Sequence, residues 1–340
     1  MLPEDIFPEK SARTNNPEEL RELLATNSRV TYATTDLASI EITPDGMVRW
    51  NGECLPFTRL FLESSAVLIG MPLAYAAKID FGLFKHNFDQ RKEKECCGIK
   101  LCLSRGAAIN MCRAAYYPAR TLDVLDEAER QIAGKKFHEG VVTDRGVELS
   151  WVTEQTPLNP RPGDTILHGL RISNSETGGR SLKASLYTLK LACKNGAVLS
   201  DEWGSARWTY DPRVTYKANL AHFFQDLGHI DAKVPKLADV CQRLTNEPLT
   251  DVDSVNLWRR VRAVVGPQAA DDIFYTEPKE RKRLFNQVRA RRDPLAAVPT
   301  SFNGYEIHNR ITAAAKEYDF LQWRRLEQIG GSMLRLPTEN

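Results

Sequence analysis

The residues of this chain best suited to chemistry are cationic, and they come in groups. Trp258-Arg259-Arg260-Val261-Arg262 is one, Lys279, Arg281, Lys282 and Arg283 a second, Arg289, Arg291 and Arg292 a third, and Trp323-Arg324-Arg325 a fourth. Several stand beside an aromatic side chain: Trp258, Phe285 or Trp323. Guanidinium groups meet phosphates and flat rings stack on bases, so the pairing suits a single-stranded nucleic acid. The same pattern also describes solvated helix faces whose charges are answered one turn away by Glu277, Glu280 and Glu327. Both readings stay open at this level.

A second candidate is the stretch Asn174-Ser175-Glu176-Thr177-Gly178-Gly179-Arg180. Asn174, Ser175 and Thr177 offer backbone and side-chain donors that can hold a phosphate, with Arg180 and Lys183 beside them and Lys194 at the Lys194-Asn195-Gly196 turn. A tight connection between strands demands the same residue types. A further alternative is an enzyme that uses Asn174, Ser175, Glu176 and His168 in one pocket, which requires those side chains to converge.

Other chemistries lack their signatures. There is no G-x-S-x-G, no G-x-x-x-x-G-K-[ST], no G-x-G-x-x-G and no H-E-x-x-H, so no catalytic residue is assigned and no cofactor is expected. The seven cysteines form no C-x-x-C pair; the nearest to ligand spacing is Cys97-x4-Cys102, with Cys112 ten residues on. They read as buried thiols and no metal is expected.

These groups must be positioned by a folded chain of 340 residues, 42% hydrophobic and 26% charged, which excludes disorder over most of the length. With 46 Lys and Arg against 44 Asp and Glu, the net charge of +2 announces no polyanion by itself, and local clustering has to carry that argument. No run approaches the ~18 apolar residues of a membrane span and the first residues carry no signal-peptide pattern, so a cytoplasmic location is expected.

Residues 1–16 read as a flexible arm, 17–216 as an α+β core domain and 217–340 as a mainly helical region. Asn16-Pro17 starts a helix over 17–27, and segments 29–33, 37–42 and 47–50 read as a small antiparallel meander. A helix follows near 57–68, then strands over 98–104 and 107–113, and a helix that Thr121 caps. The most β-like part is a hairpin at 140–153 followed by strands over 166–173 and 185–193. Helical patterns then take over, ending in one long helix over 304–329 that Gly330-Gly331 stops. The fold class is α+β: antiparallel meanders and hairpins packed with helices, then a mainly helical C-terminal third.

The order of several motifs carries a resemblance. Gly70-Met71-Pro72, Arg113 to Tyr117 ahead of Asp123-Val124-Leu125, the run from Arg171 to Gly178, Leu191 to Gly196, and the helix from Tyr305 to Ala315 resemble the phage/plasmid-like protein family, domain of unknown function 932. The most specific pieces are the Asn-Ser-Glu-x-Gly loop and the Cys-x-Asn-Gly turn, where Lys194 stands in place of a smaller polar residue. The resemblance implies DNA metabolism of mobile elements and no particular reaction. The order of elements over 29–69 also resembles the core of single-strand-annealing recombination proteins, an analogy of order alone.

Together these readings lead to the expectation of a non-enzymatic protein that binds and anneals single-stranded DNA, with a homo-oligomer as the working form. Asn174, Ser175, Thr177, Arg180, Lys183 and Lys194 would meet phosphates, and Arg259, Arg260, Arg281, Lys282, Arg283, Arg289, Arg291 and Arg292 would line a groove where Trp258 or Trp323 stacks. The alternative is a protein–protein module, of counter-defence or virion-associated type, that binds no nucleic acid.

Overall fold

A computed structural model describes residues 11–27, 30–95, 97–132, 134–161, 164–190, 195–199, 203, 205–227, 232–246, 249, 251–274 and 303–334. Residues 11–14, expected in a loose arm, form an edge strand, β1 (Ser11–Thr14), which pairs antiparallel with a strand far along the chain. Helix α1 (Pro17–Asn27) starts as the sequence implies, with the Asn16 side chain accepting a hydrogen bond from the Glu18 N–H at 2.9 Å.

The meander expected next is divided between two sheets. Strand β2 (Thr31–Asp36) leaves it, and the local meander consists of β3 (Glu41–Ile42), β4 (Val48–Trp50) and β5 (Glu53–Leu55). Between β2 and β3 a short 3-10 turn at Leu37–Ser39 buries Leu37. Helices α2 (Arg59–Leu68), α3 (Leu73–Ala76) and α4 (Phe81–Lys92) follow. Strands β6 (Gly98–Ser104) and β7 (Ala107–Arg113) join β2 in the order β2-β6-β7. Phe57, Phe61, Phe84, Phe88, Leu101 and Met111 bind these helices and the two small sheets into one core.

Helix α5 (Thr121–Gln131) leads into the main sheet. That sheet contains β8 (Lys136–Thr143), β9 (Gly146–Arg161), β10 (Asp164–Asn174), β11 (Lys183–Lys190) and β12 (Asn195–Val198), in the order β1-β8-β9-β10-β11-β12, with β13 (Ser205–Arg207) also pairing β11. Every pairing is antiparallel. Helices α6 (Tyr216–Gln225) and α7 (Val234–Asn246) place Leu220, Phe223, Leu237 and Val240 in the same core as Leu149, Ile172 and Leu186 of the sheet. The packing of the sheet therefore continues past residue 217, where the helical region begins.

Helices α8 (Asp251–Val265) and α9 (Pro267–Phe274) build a further core with the last two helices, around Val261, Phe274, Ile307 and Leu326. The single helix expected over 304–329 is two: α10 (Gly304–Ala314) and α11 (Phe320–Gly331). Tyr318 is extended, and the Asp319 side chain accepts from the Leu321 and Gln322 N–H groups, so a cap restarts the helix. Gly331, expected with Gly330 to stop the helix, is its last residue. A Cβ there would come within 2.0 Å of the Val198 carbonyl oxygen, so glycine lets α11 seat directly on β12. The fold is thus α+β with antiparallel sheets, and helices recur along the chain and dominate its C-terminal part. Among the described residues no helix is long and apolar enough to cross a membrane.

Candidate anion-binding cleft

Alternation along β9, β10 and β11 gives the main sheet two unlike faces. Successive residues of a strand point to opposite sides, so Leu149, Ile172 and Ala184 enter the apolar core while their neighbours face the other way. The neighbours are Glu148 and Ser150, Arg171 and Ser173, Lys183 and Ser185. The register sets Glu148, Ser173 and Lys183 in one row across the three strands and Ser150, Arg171 and Ser185 in the next. Helix α11 lies over this face, and Arg171 pairs with Glu327 of α11.

That pair is among the most enclosed in the molecule: the Arg171 and Glu327 side chains are only 2% and 3% exposed. The Arg171 guanidinium lies 4.2 Å from the centre of the Tyr187 ring and 5.0 Å from that of Trp323. Burial works to lower its affinity for a proton, but Glu327, aided by Tyr187 and Glu139, more than offsets this and holds it above the ordinary arginine value. Burial drives the Glu327 carboxyl up to about 7 against the pull of Arg171, with Glu139 adding to the rise. Directed at Arg171 and shielded from solvent, Glu327 anchors the helix to the sheet.

Beside this anchor further cationic groups gather around Glu148. Arg180 and Arg324 both pair with a single oxygen, Oε1 of Glu148, whose Oε2 is buried without a hydrogen-bond partner. Burial lowers Arg180 to about 10, with Arg145 adding to the effect, and burial likewise lowers Arg324 to about 10. Two adjoining recesses open here. One of about 280 Å³ is lined by Glu148, Arg171 and Ser185; the other, about 390 Å³, by Arg180, Ser181 and Arg325; they share Ser173, Lys183, Arg324 and Gln328. The only carboxylate among the described residues lining them is Glu148, against the cations of Arg171, Arg180, Lys183, Arg324 and Arg325. Such a site attracts anions, and its buried guanidiniums hold their charge in a low-dielectric wall where each interaction with an anion is strengthened.

The loop from Asn174 to Gly179 has a different task. Asn174 Nδ2 donates to the Ala119 carbonyl at 2.8 Å and to Thr121 Oγ1 at 3.1 Å. Ser175 and Thr177 hydroxyls lie 3.0 Å apart; Ser175 Oγ accepts from the Gly179 N–H, and Thr177 Oγ1 donates to the Asp144 carbonyl. Asn110 of β7 donates to the Thr177 carbonyl at 2.5 Å, and Tyr32 of β2 donates to that of Glu176. The side chains expected to meet a phosphate are therefore engaged within the loop and with Ala119, Thr121 and Asp144, while the loop's carbonyls fasten it to the β2-β6-β7 sheet. Gly178, at φ +83°, makes the turn, and a side chain there would press on Asn110 and Cys112. Glu176 also corrects the reading of Thr121 as a cap: Arg120 occupies the cap position, and Glu176 Oε1 accepts from the Thr121 N–H at 2.7 Å.

The residues singled out in the sequence are thus partly gathered. Arg180 and Lys183 come together in the cleft with Arg324 and Arg325 of the fourth basic group. Trp323 is 2% exposed, its ring flanked by Arg171 and Arg13, so no base can reach its face. Trp258 donates from Nε1 to Asp271 at 2.9 Å and carries Arg262 over its ring. Arg259 is exposed on α8, and Arg260 donates to Ser332 Oγ. Lys194, Arg281, Lys282, Arg283, Arg289, Arg291 and Arg292 lie outside the described residues. His168 stands on β10 opposite Thr153 and Thr188, several rows from the loop, and the Asn174-Ser175-Glu176-His168 pocket does not form. Among the described residues no three His, Cys, Asp or Glu side chains are arranged to hold a metal ion.

Arg171 and Glu148 were missed as site residues, and Glu327, expected on a solvated helix face, is instead buried against Arg171. A signal for the first two existed: Glu148-Leu-Ser150, Arg171-Ile-Ser173 and Lys183-Ala-Ser185 repeat a charged-x-Ser pattern in three consecutive strands. No protein-family model, no curated protein and no solved structure matches this chain.

Proposed function

We propose that the chain binds single-stranded DNA without catalysis, the cleft under α11 receiving the phosphate backbone. One observation carries this reading: cationic side chains distant in sequence, from β10, the β10–β11 loop, β11 and α11, converge on one cleft whose lining holds a single carboxylate among the described residues. Ser173 and Ser181 supply hydroxyls beside the charges, and the outer recess of about 390 Å³ is of a size that admits one mononucleotide-sized group. Annealing and oligomerisation belong to the same reading through the analogy of element order over 29–69, and a mobile-element setting through the motif resemblance.

The experiment is a salt titration of binding to a labelled deoxythymidine oligonucleotide by fluorescence anisotropy. The parent affinity falls steeply with salt, and Lys183→Ala and Arg325→Ala each flatten the log–log slope by about 0.7. An affinity that does not change with salt, or variants with the parent slope, overturns the reading.

A second reading, a protein–protein module, has its own observation. Val67, Leu73, Tyr75 and Leu83 are all exposed on α2, α3 and α4. Mass photometry with and without DNA separates the two, because this reading expects no DNA-dependent change in mass.

A further inference from the structure

Where the main sheet meets the β2-β6-β7 sheet, a cavity of about 740 Å³ opens that no sequence motif marks. Tyr32, Tyr117 and Tyr216 line it, with Lys100, Arg120 and Glu176. Tyr117 comes from the connection between β7 and α5, Tyr216 from the first turn of α6, and Tyr32 from β2. The Tyr117 ring is backed by that of Tyr210, with centroids 3.9 Å apart and planes within 4°. Trp208 closes the cluster against Tyr210 and Tyr216, at 6.3 and 6.0 Å. Tyr117 nonetheless remains 42% exposed.

A stacked ring held rigidly by its neighbours and left open to solvent is a platform for a flat partner. The polar groups beside the ring narrow the kind. The Lys100 ammonium, which donates to the Tyr116 carbonyl, lies 5.8 Å from the Tyr117 ring centre, and Arg120 lines the same cavity, so two cations stand within reach of an anionic group carried by the guest. A flat heterocycle joined to phosphate answers both features, its ring on Tyr117 and its charge towards Lys100 and Arg120. Asp123 and Glu176, also on the wall, offer acceptors for N–H groups of a base.

The cavity and the cleft stand at opposite ends of one short loop. Glu176 lines the cavity and Arg180 the cleft, four residues apart, so their Cα atoms are separated by at most about 14 Å. The loop is held rigid between them: the Tyr116 hydroxyl donates to the Ser175 and Arg180 carbonyls at 2.8 and 3.1 Å.

We infer that this cavity receives a nucleobase of the bound strand, stacked on Tyr117, while Lys100 and Arg120 meet an adjoining phosphate. The inference rests on the reading of the cleft as a single-strand site and extends it from the backbone to the bases. The test compares binding of a deoxythymidine oligonucleotide with that of an abasic oligonucleotide of equal length, for the parent, Tyr117→Ala, Tyr117→Phe and Arg325→Ala. A base on one ring strengthens binding by about 5- to 150-fold. The parent therefore binds the abasic strand more weakly by a factor in that range. Tyr117→Ala lowers thymidine-strand affinity to the abasic level and Tyr117→Phe preserves it, whereas Arg325→Ala weakens both strands by the same factor. Equal affinity of the parent for both strands, or a Tyr117→Ala variant that binds like the parent, overturns the cavity inference while salt-dependent binding leaves the cleft intact. Absence of binding to either strand overturns both.

Discussion

The two faces of the β9–β11 layer are made by alternate residues of the same strands, yet opposite physics holds each in place. One face buries Leu149, Ile172 and Leu186; the other buries Glu148, Arg171, Ser173 and Ser185. Apolar burial is non-directional and contributes about 1.5–3 kcal/mol per large side chain wherever volume is filled. A buried ion pair gains little over an apolar pair of similar volume, because both charges lose their hydration. An ionic face is thus a poor choice if the sheet needed only to hold a helix. Its presence beside an open, cation-lined cleft ties it to the retention of charge there, and it makes that half of the molecule dependent on exact partners.

The strongest test of the contrast is to remove one partner. Glu327→Ala leaves the Arg171 guanidinium enclosed between Tyr187 and Trp323 with no carboxylate, and urea unfolding is expected to show a loss of about 3–5 kcal/mol. Replacing both, with Arg171→Met and Glu327→Leu, recovers most of that loss; a double variant as unstable as the single one breaks the comparison. On the apolar face, Leu149→Ala leaves a cavity and costs about 3 kcal/mol, by an amount that does not change with salt or pH.

The ionic face, by contrast, responds to pH. The Glu327 carboxyl, raised to about 7 in the folded chain by burial and by Glu139 against the opposing pull of Arg171, Arg324 and Arg13, binds a proton more tightly than its unfolded counterpart near 4.5. Its contribution is therefore fully present below about pH 4.5 and is lost as pH rises through 7, by on the order of 1–3 kcal/mol. His308 works in the other direction. Burial lowers it to about 4, with Lys190 adding and its hydrogen bond to the Gly330 carbonyl opposing, so its contribution is present above pH 6.5 and is lost as pH falls through 4. The two trends overlap, so the observable is the difference between parent and Glu327→Gln urea midpoints from pH 4.5 to 8. That difference shifts by the Glu327 contribution alone, and a constant difference refutes the assignment.

The smallest effect concerns the connecting loop. Asn174→Ala removes the donor to Ala119 and Thr121 Oγ1 and costs about 1–2 kcal/mol, with the salt slope of DNA binding unchanged. A fall in slope without a fall in stability would move Asn174 from the frame of the fold into the cleft.

Much of the fold was legible because it is governed locally. Asn16-Pro17 begins α1, the Arg105-Gly106 turn separates β6 from β7, and Val147, Leu149 and Trp151 alternate toward the core as the strand period requires. The break between α10 and α11 was legible too, in the Asp319 cap, but an apolar period continuing across it masked the signal. The departure of β2 from the meander was not, since nothing in residues 29–36 states that β6, over sixty residues away, is the better partner. The site divides in the same way. Arg180 and Lys183 were visible as cations next to a turn, whereas the aromatic cluster of Trp208, Tyr210, Tyr117 and Tyr216 spans about a hundred residues of sequence.

The sequence by itself determined the helix starts, the turns and the alternation that gives each strand two faces, because side-chain period and capping act over a few residues. Only the tertiary structure decided what those faces meet. Trp323 became a packing ring and Arg324 beside it a cleft cation because neighbouring positions of a helix point in different directions once α11 is fixed against β12. The phosphate-like loop became a fastener because Asn110, Tyr32 and Thr121 claimed its polar groups. Buried hydrogen-bonding groups must find partners, and which partners are within reach is a property of the assembled chain.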